Sequence, residues 1–195
     1  IDNLKRGMEF SRKTVGEHGI PLFLKCDWND SISKISKEKN KAESAFVFFQ
    51  TAHAAYELIS LFKFINDNDN LAWANDYYEW CKSIYNVLWD GKWFLRGFTD
   101  EGEKYGTDDD EFNKIFLNPQ SWAVLSRLPS AEQGNSAFDN VEKYLFCDYG
   151  VVSHAPASTG IDLSKKYFFG EKAGVRENGG IFYHASTWAI IAECL

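Results

Sequence analysis

The 195-residue chain has four cysteines, four prolines, one methionine and no excess of basic charge. The cysteines stand at 26, 81, 147 and 194, with no C-x-x-C pair. That spacing excludes a disulfide-dense scaffold and a thiolate metal knuckle, and predicts reduced, buried thiols. A formal charge of −7, with no basic stripe, argues against nucleic acid as a partner. No run of apolar residues approaches the ~18 expected of a membrane span, so no membrane partner is expected either. No Walker lysine follows the glycines near 180, and no G-x-S-x-G elbow is present. The histidines at 18, 53 and 154 lack metal-ligand spacing.

What is present is aromatic: seven Trp, nine Tyr and sixteen Phe within 45% hydrophobic residues. This composition supports a folded core, and it also supplies rings on which sugar C–H faces stack. Helical spacing of apolar residues predicts helices over 1–17, 43–65 and 71–88, the last two joined by the Asn66–Asn70 turn cluster and packed antiparallel. Lys92–Phe98 followed by Thr99–Gly102 reads as a strand and hairpin turn. The acidic run Asp108–Glu111 lacks the spacing of a calcium loop and reads as a solvated hairpin flank. A helix begins near Phe116 with Pro119 in its first turn, and Pro129 ends it. Ser130 and Gln133 form a capping box for the next, to about Phe146. Residues 31–42 read as a mobile lysine-rich loop, and 151–180 as an irregular stretch of functional length. His184–Leu195 reads as a final helix.

Two constellations carry chemistry. The first is Asp27-Trp28-Asn29-Asp30, which follows the apolar Leu22–Leu24. It sets two carboxylates, an indole and an amide directly after a buried segment, the parts that a sugar-binding and sugar-cleaving site needs. Three readings stay open: an acid–base pair, one working carboxylate with the other fixing the loop, or two Asx-type turn residues. The second is Gly174–His184, where two glycines permit close backbone approach. Arg176 and His184 there suit an oxyanion such as phosphate, with His184 at a helix N-terminus. The alternative is a loop ion pair, Arg176–Glu177, beside a capping histidine. His53, on an apolar helix face, reads as a satisfied core histidine.

The chain resembles the glycoside hydrolase family 94 phosphorylases over nearly its whole length. The resemblance rests on Gly16-Glu17-His18-Gly19-Ile20-Pro21-Leu22, Asp27-Trp28-Asn29-Asp30, Lys41-Ala42-Glu43-Ser44 and Trp93-Phe94-Leu95-Arg96-Gly97, in that order. It continues through Phe116–Ala123 and Gly174–Phe182. The family motif usually continues with glycine where Ser31 stands here. The resemblance implies an all-α fold, an (α/α)6 barrel, of which 1–195 would be about half, with a small β-hairpin insertion. The family's N-terminal β-sandwich and first barrel half would lie outside this sequence.

It further implies inverting phosphorolysis of a β-linked gluco-oligosaccharide to α-glucose 1-phosphate, in the cytoplasm, by a full-length homodimer. No cofactor is implied, and inorganic phosphate is the co-substrate. Asp30 falls on the general acid, Trp28 on the donor-sugar contact and His184 on the phosphate ligand. Arg176 and Glu177 fall near the acceptor sugar, and Asp27 and Gln120 complete the expected substrate-binding set. Only one catalytic carboxylate is needed, because phosphate is already an anionic nucleophile. Asp30 has to carry its proton to act, and apolar burial by its aromatic and aliphatic flank is the expected means. The alternatives are an inverting hydrolase using water, with Asp27 or Glu177 as base, and a non-catalytic carbohydrate-binding module.

Overall fold

The computed structural model describes residues 1–33, 40–159, 168–169 and 171–195. Its first helix, α1, runs Asp2–Lys13 and stops short of the expected 17. The chain instead wraps a buried carboxylate: Glu43 Oε1 accepts the backbone N–H groups of His18 (3.1 Å) and Ile20 (3.0 Å). Gly16 makes this wrap feasible, since a Cβ there would stand 2.5 Å from the Glu43 side chain. After this turn come β1 (Ile32–Ser33) and β2 (Glu43–Ser44). The lysine-rich loop expected over 31–42 falls for residues 34–39 outside the described residues.

Helix α2 spans Ala45–Phe64 and α3 spans Asn68–Ile84, followed by a 3-10 turn at Tyr85–Leu88. Each begins on a side-chain cap: Ser44 accepts from Val47 N–H, and Asp67 from Asn70 N–H. The polar cluster at 66–70 is thus a turn and the start of the next helix at once. By length and composition α2 passes for a membrane-crossing helix, which the expectation of no such run overlooked. Here it is the core helix, burying Phe46, Phe49, Ala52, Ala55, Leu58 and Phe62 along one face. Tyr77 on α3 donates its hydroxyl to Met8 O (3.0 Å), which ties α1 to the hairpin.

Strand β3 (Gly97–Phe98) pairs antiparallel with both β2 and β4 (Lys104–Tyr105), so the expected hairpin forms with an added strand. It is shorter than the sequence pattern implies. Phe94 makes a single antiparallel bridge with Trp89, and its own N–H and C=O are taken by the Gln120 side chain, both at 2.8 Å. In the acidic flank, Asp110 accepts from the N–H groups of Gly106 and Thr107, and Asp108 pairs with Lys92.

The second half adds β5 (Ile115–Phe116), α4 (Leu117–Leu125) and α5 (Ala131–Leu145). The predicted capping box of Ser130 and Gln133 is formed. A hairpin of β6 (Phe146–Cys147) and β7 (Gly150–Val151) follows, then β8 (His154–Ala155), which pairs with β5. Strand β9 (Phe168–Phe169) pairs with β1, and α6 (Tyr183–Glu193) closes the described chain against α4. Within the stretch expected to be irregular, 160–167 and 170 lie outside the described residues.

The fold is therefore helical hairpins joined by small two- and three-stranded sheets. An all-α description is corrected, because the sheets sit at several helix junctions rather than in one insertion. The thiol expectation is corrected too: Cys81 is buried, whereas Cys26, Cys147 and Cys194 are exposed free thiols. They sit on turns and helix or strand ends, where the chain meets solvent.

Candidate active site

The loop 27–31 is shaped by its own side chains. Asp27 accepts the Asn29 N–H at 2.9 Å, and Asn29 Oδ1 accepts those of Ser31 (3.1 Å) and Ile32 (3.2 Å). These are Asx turns, but the pair that makes them is Asp27 and Asn29, not Asp27 and Asp30. Asp30 is left facing out.

Asp27 is committed to structure. Its fully enclosed side chain receives Arg96 Nη2 at 2.7 Å on Oδ1 and 2.6 Å on Oδ2, and the Ser44 hydroxyl at 2.6 Å. The guanidinium lies 5.8 Å from the rings of both Phe23 and Phe116. Burying a carboxylate costs heavily unless it is paired and hydrogen-bonded, and this one is both. The side chain holds the loop in place. Gln120 is likewise committed to structure. It is fully buried, its Oε1 accepting from Phe94 N–H and its Nε2 donating to the carbonyls of Phe94 and Phe116.

Trp28 reaches across the molecule. Its indole N–H lies 3.3 Å from Nδ1 of His184, 156 residues away. An indole is only a donor, so Nδ1 must accept, and the His184 proton sits on Nε2. That nitrogen is then a donor available to an anion. Phe182 packs edge-on against Trp28 at 4.8 Å, and Trp188 packs on His184 at 4.3 Å. His184 is the second residue of α6, where unpaired backbone N–H groups also favour negative charge.

Asp30 is exposed, so the apolar burial expected around it is not formed by the described residues. The flank that was expected to cover it is spent elsewhere: Phe23 packs in a small cluster with Ile32, Ala42, Tyr105 and Phe116. Desolvation, then the charge of Asp30, raises the Cys26 thiol above its ordinary pKa, which disfavours a nucleophilic thiolate.

Glu177 is buried and accepts the Ser31 hydroxyl at 2.7 Å. Arg176, in a left-handed conformation (φ 49°) and largely exposed, lies 3.5 Å from Glu177 and 3.6 Å from Glu171. The loop ion pair is thus real, and its arginine still faces solvent. Asn178 braces the turn through Ser158 and the Glu171 carbonyl, and Ser153 donates to the Glu177 carbonyl at 3.1 Å. Beneath it lies His154, fully buried against Phe116 at 4.9 Å. Desolvation depresses its pKa to about 3, so it is neutral in the fold. Unfolding lets it bind a proton below about 6.5, and stability should fall as pH drops from there towards 3. His154→Phe is expected to remove roughly 1.4 kcal/mol per pH unit from that acid slope, read by denaturation at pH 6 and 4.

Four further residues belong to the site's frame. Arg96 and Ser44 anchor Asp27, while His18 Nδ1 meets Glu43 Oε2 at 2.6 Å with its ring stacked on Phe98 at 3.6 Å. Each lies in a short motif quoted above, but a lone Arg in an apolar run gives no sign of the carboxylate it will meet. His53, as expected, is satisfied in place, Nδ1 lying 2.9 Å from Leu125 O. Among the described residues no group of three or more His, Cys, Asp or Glu side chains could hold a metal ion.

Paired helical hairpins here present an indole–imidazole contact and an outward carboxylate at loop junctions. The chain belongs to the glycosyl hydrolase 94 superfamily, as part of its catalytic domain: that family profile matches residues 1–195. It is 34% identical to an N,N'-diacetylchitobiose phosphorylase of Vibrio proteolyticus, over 98% of this chain and 24% of the relative. It is 30% identical to a solabiose phosphorylase of Paenibacillus borealis, over 100% of this chain and 25% of that protein. The chain therefore spans about a quarter of the length of these relatives. A solved structure described as a sialidase superposes with a TM-score of 0.65 at 14% identity, covering 98% of this chain and 17% of its own. That likeness concerns the fold alone.

Proposed function

We propose that this chain supplies the catalytic acid and part of the anion site of an inverting β-glucoside phosphorylase built on an (α/α)6 barrel. The observation that carries the reading is the Trp28–His184 contact, which brings the Asp30 loop and an anion-seeking helix start into one place. The naming of related proteins as phosphorylases of disaccharides supports the reaction class. In the proposed step, Asp30 gives its proton to the glycosidic oxygen as the C1–O bond breaks. A phosphate oxygen forms the new bond to C1 from the opposite face. The products are α-glucose 1-phosphate, a shortened sugar and an Asp30 carboxylate. His184 Nε2–H and the first turn of α6 offset charge on the phosphate, while the Trp28 ring offers the sugar an apolar wall. Arg176 and Glu177 lie on the acceptor side. Bound sugar provides the desolvation that Asp30 lacks in the free chain.

Hydrolysis needs a second carboxylate as base. Asp27 is locked on Arg96, and Glu177 is buried on Ser31, so neither is placed as a free base towards water. The test is sugar release from β-linked disaccharides by the full-length protein with and without inorganic phosphate. Release that requires phosphate, with glucose 1-phosphate formed, is expected. Equal release without phosphate would replace this reading with hydrolysis, and sugar binding with no turnover would replace it with a binding module.

A further inference from the structure

Asp30 faces solvent, so its aim cannot come from side-chain packing and must come from the backbone that carries it. Upstream, that backbone is pinned by Asp27 on Arg96 and by the Asn29 turn. Downstream, the next residue is Ser31, itself buried, whose hydroxyl donates to the buried Glu177 carboxylate at 2.7 Å across 146 residues of sequence. Hydrogen bonds to an ionised acceptor are short and strong, and this one has little water to compete with it. Glu177 is a rigid post, because its carbonyl and the neighbouring Asn178 are bonded into the 153–158 segment.

We propose that Ser31 is a positioning residue for proton transfer: by holding Glu177, its hydroxyl sets the direction in which Asp30 points. The proposal rests on the reading of Asp30 as the proton donor. The family motif does not supply this contact, since the glycine usual at that place has no side chain with which to make it. Loss of the hydroxyl would leave a buried carboxylate short of a partner and free the loop on one side of Asp30 only. Misplacement of a reacting group by about 1 Å is enough to cost on the order of a hundredfold in rate.

The experiment compares Ser31→Ala, Ser31→Thr and Asp30→Asn in the full-length protein, reading kcat and KM for a β-linked disaccharide across pH. Rates are normalised to the folded fraction by circular dichroism. The ionisable groups around the loop that are retained in both Ser31 variants are Cys26, Asp27, Arg176, Glu177 and His184. Ser31→Ala is expected to lower kcat by roughly tenfold or more, with the sugar KM within about twofold of wild type. The basic limb of the kcat profile should move, since that limb reports the acid in the complex. Ser31→Thr, which keeps the hydroxyl, should return kcat to within about threefold. A wild-type kcat for Ser31→Ala, the same loss for Ser31→Thr, or a loss by one factor at every pH would overturn the proposal. If Asp30→Asn itself turns over at the wild-type rate, the reading of Asp30 falls first. If Asp30→Asn is inactive and Ser31→Ala is not impaired, only the role of Ser31 falls.

Discussion

Asp30→Asn is expected to lower phosphorolysis by the full-length protein by roughly 10²–10⁴-fold while sugar binding persists. The amide is close to isosteric with the carboxylic acid but cannot deliver an acidic proton, so the leaving oxygen would depart as an alkoxide. Binding should survive, because the Trp28 wall and the turn around Asn29 do not depend on the Asp30 proton. Nor should folding suffer, because the side chain is exposed. The measurement is kcat beside calorimetric affinity for the disaccharide. Wild-type turnover in Asp30→Asn would remove this residue from the acid role, and loss of affinity with no change in kcat would make it a binding residue.

The second large effect is expected at Arg96, and it should appear first as stability. Arg96→Ala leaves the enclosed Asp27 carboxylate without its cation, a change that costs roughly 3–5 kcal/mol for buried pairs. One guanidinium nitrogen meets both carboxylate oxygens in a nearly solvent-free setting, 5.8 Å from the Phe23 and Phe116 rings, so solvent screening offers little relief. Arg96→Lys should recover only part, because a single ammonium keeps the charge but lacks the second nitrogen, Nη1, that reaches Ser44 Oγ at 3.4 Å. Turnover should drop along with stability, as the loop that carries Asp30 begins at Asp27. Denaturant midpoints and kcat of both variants check this. A destabilisation under about 1 kcal/mol would mean that water replaces the guanidinium and that Asp27 is not the anchor described.

The long helices, the capping box at Ser130 and the hairpin near Gly97 are local features, and the sequence patterns that announce them are local as well. Helix periodicity, a Ser three residues ahead of a Gln, and a Thr-Asp-Glu-Gly turn depend on neighbours within a few positions. The errors share an opposite origin. Helix α1 ends early because Glu43, distant in sequence, claims the backbone of His18 and Ile20. The strand before Gly97 is reduced to a bridge between Trp89 and Phe94, and Gln120 claims both polar groups of Phe94 on its other side. Asp30 is exposed because the apolar residues flanking it pack inward with partners from other segments.

The sequence by itself determined which side chains could do chemistry. The dense loop at 27–30 and the cation-bearing turn before His184 stand out by residue type alone, and the family follows from the order of the short motifs. Only the tertiary structure decided how those side chains divide the work. Asp27 and Asp30 are indistinguishable as letters, yet one is sealed on a guanidinium from position 96 and the other is left open. Gln120 and Glu177 likewise acquired their partners from remote segments. Charge burial and hydrogen-bond satisfaction depend on what the whole chain brings within 3 Å, and residues separated by 69 or 146 positions meet only after folding.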